Sequence, residues 1–253
     1  MGRIQYIRDK ADLSGVVRQD PLYTAGFPVG IIAVDLIYPK LPGNVANAST
    51  FSFPVIYKKV SFEIEALFAG DPAIRDQIID AALELEAEGV RAIAGACGFF
   101  AHFQKDIRAV VHVPVYMSSL CQLPLIRTGL RTGEKIAVIA ASGESVDEKL
   151  LSQVGGDPEE IIVYDVGSME SFAPIRYGYT ELDNGRLTKD LRALARRIRK
   201  EHPEVGAILL ECSDLPPYAW AFQEESQLPV YDFITLINWI AAAVTQQPYL
   251  GRY

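Results

Sequence analysis

Short, fully apolar runs alternate with longer amphipathic stretches along this chain. Val29 to Val34, Ile136 to Ala140, Ile161 to Val166 and Leu228 to Tyr231 are short and flanked by turn formers, which predicts buried strands. Phe53 to Val60 and His112 to Tyr116 predict two more. Between the strands the period changes. Asp71-Pro72 supplies an N-cap and a first-turn proline, and Gly89 ends the helix. Ile74, Ile78, Ala81, Ala82 and Leu85 form its apolar stripe. Phe99 to Val110, Ser119 to Arg131 and Ile234 to about Gln246 also predict helices. Ser145-Val146-Asp147-Glu148 matches a capping box. Asp183-Asn184-Gly185 reads as a turn before a basic amphipathic helix, Thr188 to Glu201. Residues 1–24 lack a period and predict an arm or edge segment.

The alternation of strand and helix predicts an α/β fold with parallel sheets covered on both faces. Part of the pattern is written twice. The stretch Val90 to Phe99 reads as a short buried strand running into Cys97, and Val205 to Cys212 repeats it. Ala92 matches Ala207, Ile93 matches Ile208, and Pro114-Val115-Tyr116 matches Pro229-Val230-Tyr231, at a constant offset of 115 positions. Two similar α/β halves follow: residues 25–132, completed by the C-terminal helix at 233–247, and residues 133–232. No glycine- or serine-rich linker separates them, so they are expected to pack directly on each other with a cleft between.

Composition narrows the partners. The net charge of −8 argues against nucleic acid and anionic membrane surfaces as partners. No apolar run is long enough to span a bilayer, and the first residues lack the apolar stretch of a signal peptide. Three widely spaced cysteines do not suggest a disulfide framework, and a cytoplasmic location is the simplest expectation.

Cys97 and Cys212 both fall at the carboxyl end of a strand and before a helix, where N–H groups and the helix dipole favour anions and lower a thiol's pKa. A pseudo-two-fold relation would aim both thiols at one cleft. Inverting a carbon acid needs a base on one face and an acid on the other, and two facing cysteines supply both. Asn47, Ser49, Thr50, Ser118, Ser119 and Ser213 are available donors for the substrate's carboxylate. Asp214 either tunes Cys212 or caps the helix that follows. No metal or organic cofactor is required. Cys121 reads as a packed helix residue, and His102, His112 and His202 are too dispersed for a zinc site. A redox pair is less favoured, because there is no Cys-x-x-Cys.

These residues resemble a known family. Leu41-Pro42-Gly43-Asn44 through Asn47-Ala48-Ser49-Thr50, Cys97-Gly98-Phe99, Pro114 to Leu120 and Glu211 to Tyr218 resemble the aspartate/glutamate/hydantoin racemase superfamily, over roughly residues 28–240. The resemblance implies two Rossmann-like (flavodoxin-like) domains related by a pseudo-dyad, often as a homodimer. It also implies cofactor-independent racemisation or isomerisation of a small carboxylate, with Cys97 and Cys212 as acid and base. Asn47, Thr50, Gly98, Phe99 and Ser213 would then surround the substrate's carboxylates. Glutamate racemases carry Cys-Asn-Thr and Cys-Thr-His where this chain has Cys97-Gly98-Phe99 and Cys212-Ser213-Asp214, which argues against glutamate as the substrate. Related decarboxylases keep only the second cysteine, so the pair favours racemase or isomerase chemistry. A decarboxylase, a cis-trans isomerase and a non-catalytic small-molecule binder remain the alternatives.

Overall fold

In the computed structural model, which describes residues 15–16, 24–247, 249 and 252, the strands come in two successive groups. The first is β1 (Val29–Val34), β2 (Val55–Val60), β3 (Ala92–Gly95) and β4 (Val115–Tyr116). The second is β5 (Lys135–Ala140), β6 (Ile161–Asp165), β7 (Val205–Leu210) and β8 (Val230–Tyr231). Among the described residues each group forms one parallel sheet, in the orders β2-β1-β3-β4 and β6-β5-β7-β8. Ile93 lies beside Val115 and Ile208 beside Val230, so the duplicated sequence is a duplicated register. In sheets of this kind ligands bind beyond the carboxyl ends, where the strand order reverses. Cys97 and Cys212 sit two residues past those ends of β3 and β7.

The helices are α1 (Ile64–Ala69), α2 (Arg75–Ala87), α3 (Gln104–Val110), α4 (Leu123–Gly129), α5 (Glu148–Val154), α6 (Ala173–Tyr177), α7 (Asn184–Glu201), α8 (Ala219–Ser226) and α9 (Phe233–Val244). Several begin differently from the sequence expectation. The segments after Cys97 and Ser118 open as 3-10 turns, Gly98–Phe103 and Ser119–Gln122, before the α-helical hydrogen bonding of α3 and α4. Asp147, not Ser145, caps α5 by accepting from Leu150 N at 2.7 Å; the Ser145 hydroxyl pairs with Ser142 instead. Asp183 is the N-cap of α7, so Asp183-Asn184-Gly185 opens the helix rather than forming a separate turn. α1, at six residues, is too short to leave a period in the sequence. The expected arm over residues 1–24 lies almost wholly outside the described residues. No helix among the described residues is long and apolar enough to cross a membrane.

Burial follows the patterns that form each element. α2 turns Ile78, Ala81, Ala82 and Leu85 inward. α7 buries Leu187, Leu191, Leu194, Ala195 and Ile198, while Arg192 and Arg196 on its other side pair with Glu225 of α8 at 2.7 and 2.8 Å. A continuous apolar cluster runs through both halves, from Ile32 and Ile93 to Val138 and Ile208. A second cluster lies on the other face of the first sheet. There Val29, Ile31, Ala92 and Ala94 are covered by Phe233, Leu236, Ile237, Ile240 and Ala241 of α9, a helix that comes after the last strand of the second sheet.

Ile237 is fully buried in that cluster. Ile237→Ala is expected to lower unfolding stability by about 2–5 kcal/mol, read as a shift of the urea midpoint at unchanged slope. A midpoint that stays put would mean α9 is not part of the cooperative unit.

Candidate active site

The two duplicated strands deliver their cysteines to one place. Cys97 and Cys212 line a single cavity of about 50 Å³ with Tyr38, Lys40, Arg176 and Asp214. A larger open groove, about 790 Å³, lies along α3, β4 and the end of α5 and holds Cys121 but neither of the other two cysteines. The surroundings of Cys97 and Cys212 repeat locally. The N–H of Phe99 points at the Cys97 sulfur, and the N–H of Asp214 at the Cys212 sulfur. Each thiol is thus met by the backbone two residues further on, in the first turn of a 3-10 segment after Cys97 and in the turn that precedes one after Cys212.

The expectation of thiols lowered toward neutrality is reversed. Burial pushes both well above the ordinary thiol range, and the nearby carboxyls of Glu211 and Asp214 push them further. The single N–H facing each sulfur works in the opposite direction and is outweighed. A 3-10 turn also lacks the long aligned dipole that lowers a thiol's pKa at the start of a full α-helix.

Around Cys212 the groups are densely connected. Its thiol donates to Asp214 Oδ2 at 3.4 Å. The other carboxylate oxygen, Oδ1, accepts from the Tyr38 hydroxyl and the Asn44 amide. Burial raises the Asp214 pKa, and these hydrogen bonds together with Lys40 oppose that. Lys40 donates to Leu36 O at 2.7 Å, and its ammonium lies 3.7 Å over the Tyr38 ring. Arg176 donates to Ala141 O at 2.7 Å, while its Nε is buried with no hydrogen-bonding partner among the described residues. Glu211, immediately before Cys212, is completely buried. Burial pushes its carboxyl up to about 8, a hydrogen bond from Ala141 N partly offsets this, and the Asp214 charge adds to it.

The residues expected around the substrate divide into two groups. Ser213 and Asp214 line the cavity with the two cysteines, and Gly98 is buried directly after Cys97. The Ser213 hydroxyl donates to Ala96 O at 2.8 Å, joining the two halves. The other polar residues serve their own loops. Asn47 caps a 3-10 turn, accepting from Ser49 N and Oγ at 3.0 and 2.7 Å, and Ser49 is exposed. Thr50 donates to Asn44 O at 2.9 Å and accepts from Gly43 N at 2.9 Å. Ser118 caps the turn before α4, and Ser119 donates to Leu210 O at 2.9 Å. Phe99 is core, its ring 4.5 Å from that of Phe68. Tyr38, Lys40, Asn44, Arg176 and Glu211 were not singled out from the sequence. The one available signal was Glu211, a carboxyl ending an otherwise apolar strand. Among the described residues no group of three or more His, Cys, Asp or Glu is placed to hold a metal ion.

Two parallel sheets of matching order give this chain the fold of solved decarboxylase and racemase structures. Unliganded arylmalonate decarboxylase aligns with a TM-score of 0.58 at 19% identity, over 89% of this chain and 95% of that one. The aspartate racemase of Picrophilus torridus aligns at 0.52 and 18% identity, over 87% and 93%. No protein-family model matches the chain. Among curated proteins, dimethylsulfoniopropionate lyase 3 of Emiliania huxleyi (strain CCMP1516) is 34% identical over 235 residues, 88% of this chain and 61% of that protein's length. The dimethylsulfoniopropionate lyase of Durusdinium sp. clade D is 33% identical over 232 residues, 88% of this chain and 77% of that protein. The chain belongs to the dimethylsulfoniopropionate lyase family.

The Glu211 carboxyl links the site to stability. From about pH 4.3, where a free glutamic acid ionises, up to about 8, the unfolded chain binds fewer protons here than the folded one. Stability therefore falls as pH rises through that window. Glu211→Gln removes this contribution, so its urea midpoint relative to the parent is expected to rise steadily from pH 5 to pH 8. A difference between the two that is constant with pH would show that Glu211 is ionised in the folded chain.

Proposed function

We propose that this chain is a lyase that removes a proton α to the carboxylate of dimethylsulfoniopropionate and expels dimethyl sulfide. The names of the family's curated members support that substrate class. The inequality of the two cysteines is the observation that carries the reading. Inversion at carbon needs two interchangeable acid/base groups, whereas elimination needs one base. Here Cys212 is hydrogen-bonded to Asp214 and preceded by Glu211, while Cys97 is preceded by Ala96 and followed by Gly98. In this reading a lyase on the racemase fold takes the place of the racemase expectation, which the comparisons do not confirm.

The substrate is a zwitterion, and the cavity has groups for both ends. Arg176, with its unpartnered Nε, and Lys40 receive the carboxylate and stabilise the charge that builds there as the α-proton leaves. The sulfonium end lies toward Cys212 and Asp214. Its positive charge favours the thiolate that burial disfavours in the free protein, so the substrate helps to generate its own base. Cys212 thiolate takes the α-hydrogen as a proton. The C–H electron pair becomes the carbon–carbon double bond, and the pair of the Cβ–S bond leaves on sulfur. Acrylate and neutral dimethyl sulfide result, and the thiol returns its proton to solvent. The cavity, at about 50 Å³, has room for only a few water-sized molecules. Binding therefore requires the Leu36–Lys40 segment and α6 to part.

Purified protein given dimethylsulfoniopropionate is expected to release dimethyl sulfide, measured by gas chromatography, with a slower rate for α-deuterated substrate. Cys212→Ala should lower kcat by about 10²–10⁴-fold. Cys97→Ala should cost less, because Cys97 is not the base. Exchange of α-hydrogens with deuterated water on small carboxylates, without any C–S cleavage, would replace the lyase with the isomerase reading that two cysteines on one cavity also allow.

A further inference from the structure

The residue after Cys97 is glycine for a reason visible across the cleft. A Cβ built on Gly98 would stand 1.9 Å from Glu211 Oε1 and 2.6 Å from Glu211 O. The Glu211 carboxyl thus occupies the space that a side chain at position 98 would fill. The duplicated register makes this informative, because Gly98 corresponds to Ser213 and Ala96 to Glu211. On one side of the pseudo-dyad the chain has a side chain at 213 reaching back to the carbonyl of Ala96. On the other side the arrangement is exchanged: position 98 has no side chain, and residue 211 sends a carboxyl into the gap. That carboxyl has no solvent exposure, and its Oε1 has no hydrogen-bonding partner among the described residues. Its Oε2 accepts only a long bond, 3.4 Å, from Ala141 N.

We propose that Glu211 is a positioning residue, lodged against Gly98 between the two halves, whose protonation state decides whether the cysteines of the cleft can carry negative charge. The groups that face it are Cys97 and Cys212, Asp214 beyond Cys212, the Ser119 hydroxyl, which donates to the Glu211 carbonyl at 3.3 Å, and the Ala141 peptide that Arg176 also holds. Neutral, the Glu211 carboxyl adds no charge to a cleft that already contains Asp214. Ionised, it becomes a second carboxylate in the same dry space and opposes thiolate at both sulfurs. The cleft then gains thiolate more slowly with rising pH than an ordinary thiol site does. In the proposed elimination, the rise of kcat/KM with pH therefore flattens with the titration of Glu211, near pH 8.

The test reads the thiols directly, without substrate. Alkylation of Cys97 and Cys212 by iodoacetamide is followed by peptide mass spectrometry from pH 6 to pH 10, in the parent and in Glu211→Gln. In the parent the rise of Cys97 labelling with pH is expected to flatten near pH 8. In Glu211→Gln it continues as a simple titration, about tenfold faster than the parent at pH 9, the effect of one pKa unit, and indistinguishable from it at pH 6. Parallel curves at every pH would overturn the proposal. Should Glu211→Gln fail to fold, the parent curve decides alone, since a rise with no inflection near pH 8 would mean that no carboxyl is coupled to the thiols. The flattening of kcat/KM depends on the function proposed above; the thiol measurement does not. Flattened labelling without lyase activity would refute that function and leave the role of Glu211 standing.

Discussion

Four acidic side chains share one dry space, and they cannot all be ionised. Cys97, Cys212, Glu211 and Asp214 converge where the carboxyl ends of two sheets meet, and burial opposes charge on each of them. The hydrogen bonds divide the charge unevenly. Asp214 receives the Tyr38 hydroxyl, the Asn44 amide and the Cys212 thiol, the largest share of donors in the cleft, so the negative charge settles there. The loop between β1 and β2, which carries Tyr38 and Asn44, is shaped around that carboxylate. Gly43 in this loop adopts a positive φ of 101° and lies so close to Pro217 of the second half that a Cβ would stand 2.9 Å from the proline Cα. Docking of the loop and location of the charge are therefore one constraint.

The central strands β1, β3, β5 and β7 were legible in the sequence because they are buried almost throughout and leave short, apolar runs. The duplication was legible because strand, cysteine and following strand recur at a fixed offset, and paired register fixes spacing more tightly than composition does. Helix starts were less legible. A 3-10 turn and the first turn of an α-helix use the same capping residues, so the segments after Cys97 and Ser118 looked like plain helices. Asp147 and Ser145 compete for one cap, and only the folded chain shows which accepts the N–H.

At the site, the cysteines and Asp214 were visible because they sit beside the duplicated strands. Arg176 comes from α6, whose neighbourhood carries no signal in one dimension, while Tyr38 opens a loop after the first strand, where ligand contacts are expected, with nothing to single it out among that loop's residues. The hydroxyl and amide residues Asn47, Ser49, Thr50, Ser118 and Ser119 have the chemistry of ligand donors. They also have the chemistry of turn formers, and in the fold their polar atoms are occupied by nearby backbone and side chains. The sign of the thiol shift was misjudged for a related reason: position at a strand end is readable, but solvent exclusion at that end depends on what the other half brings.

α9 gives the chain an order of events as well as a shape. The first of the two sheets is covered on one face by a helix made after every strand of the second sheet. During synthesis the apolar face formed by Val29, Ile31, Ala92 and Ala94 has no partner until residues 233–244 leave the ribosome. The half that is translated early is thus the half completed late. Until then it exposes a sticky surface of the kind that chaperones hold.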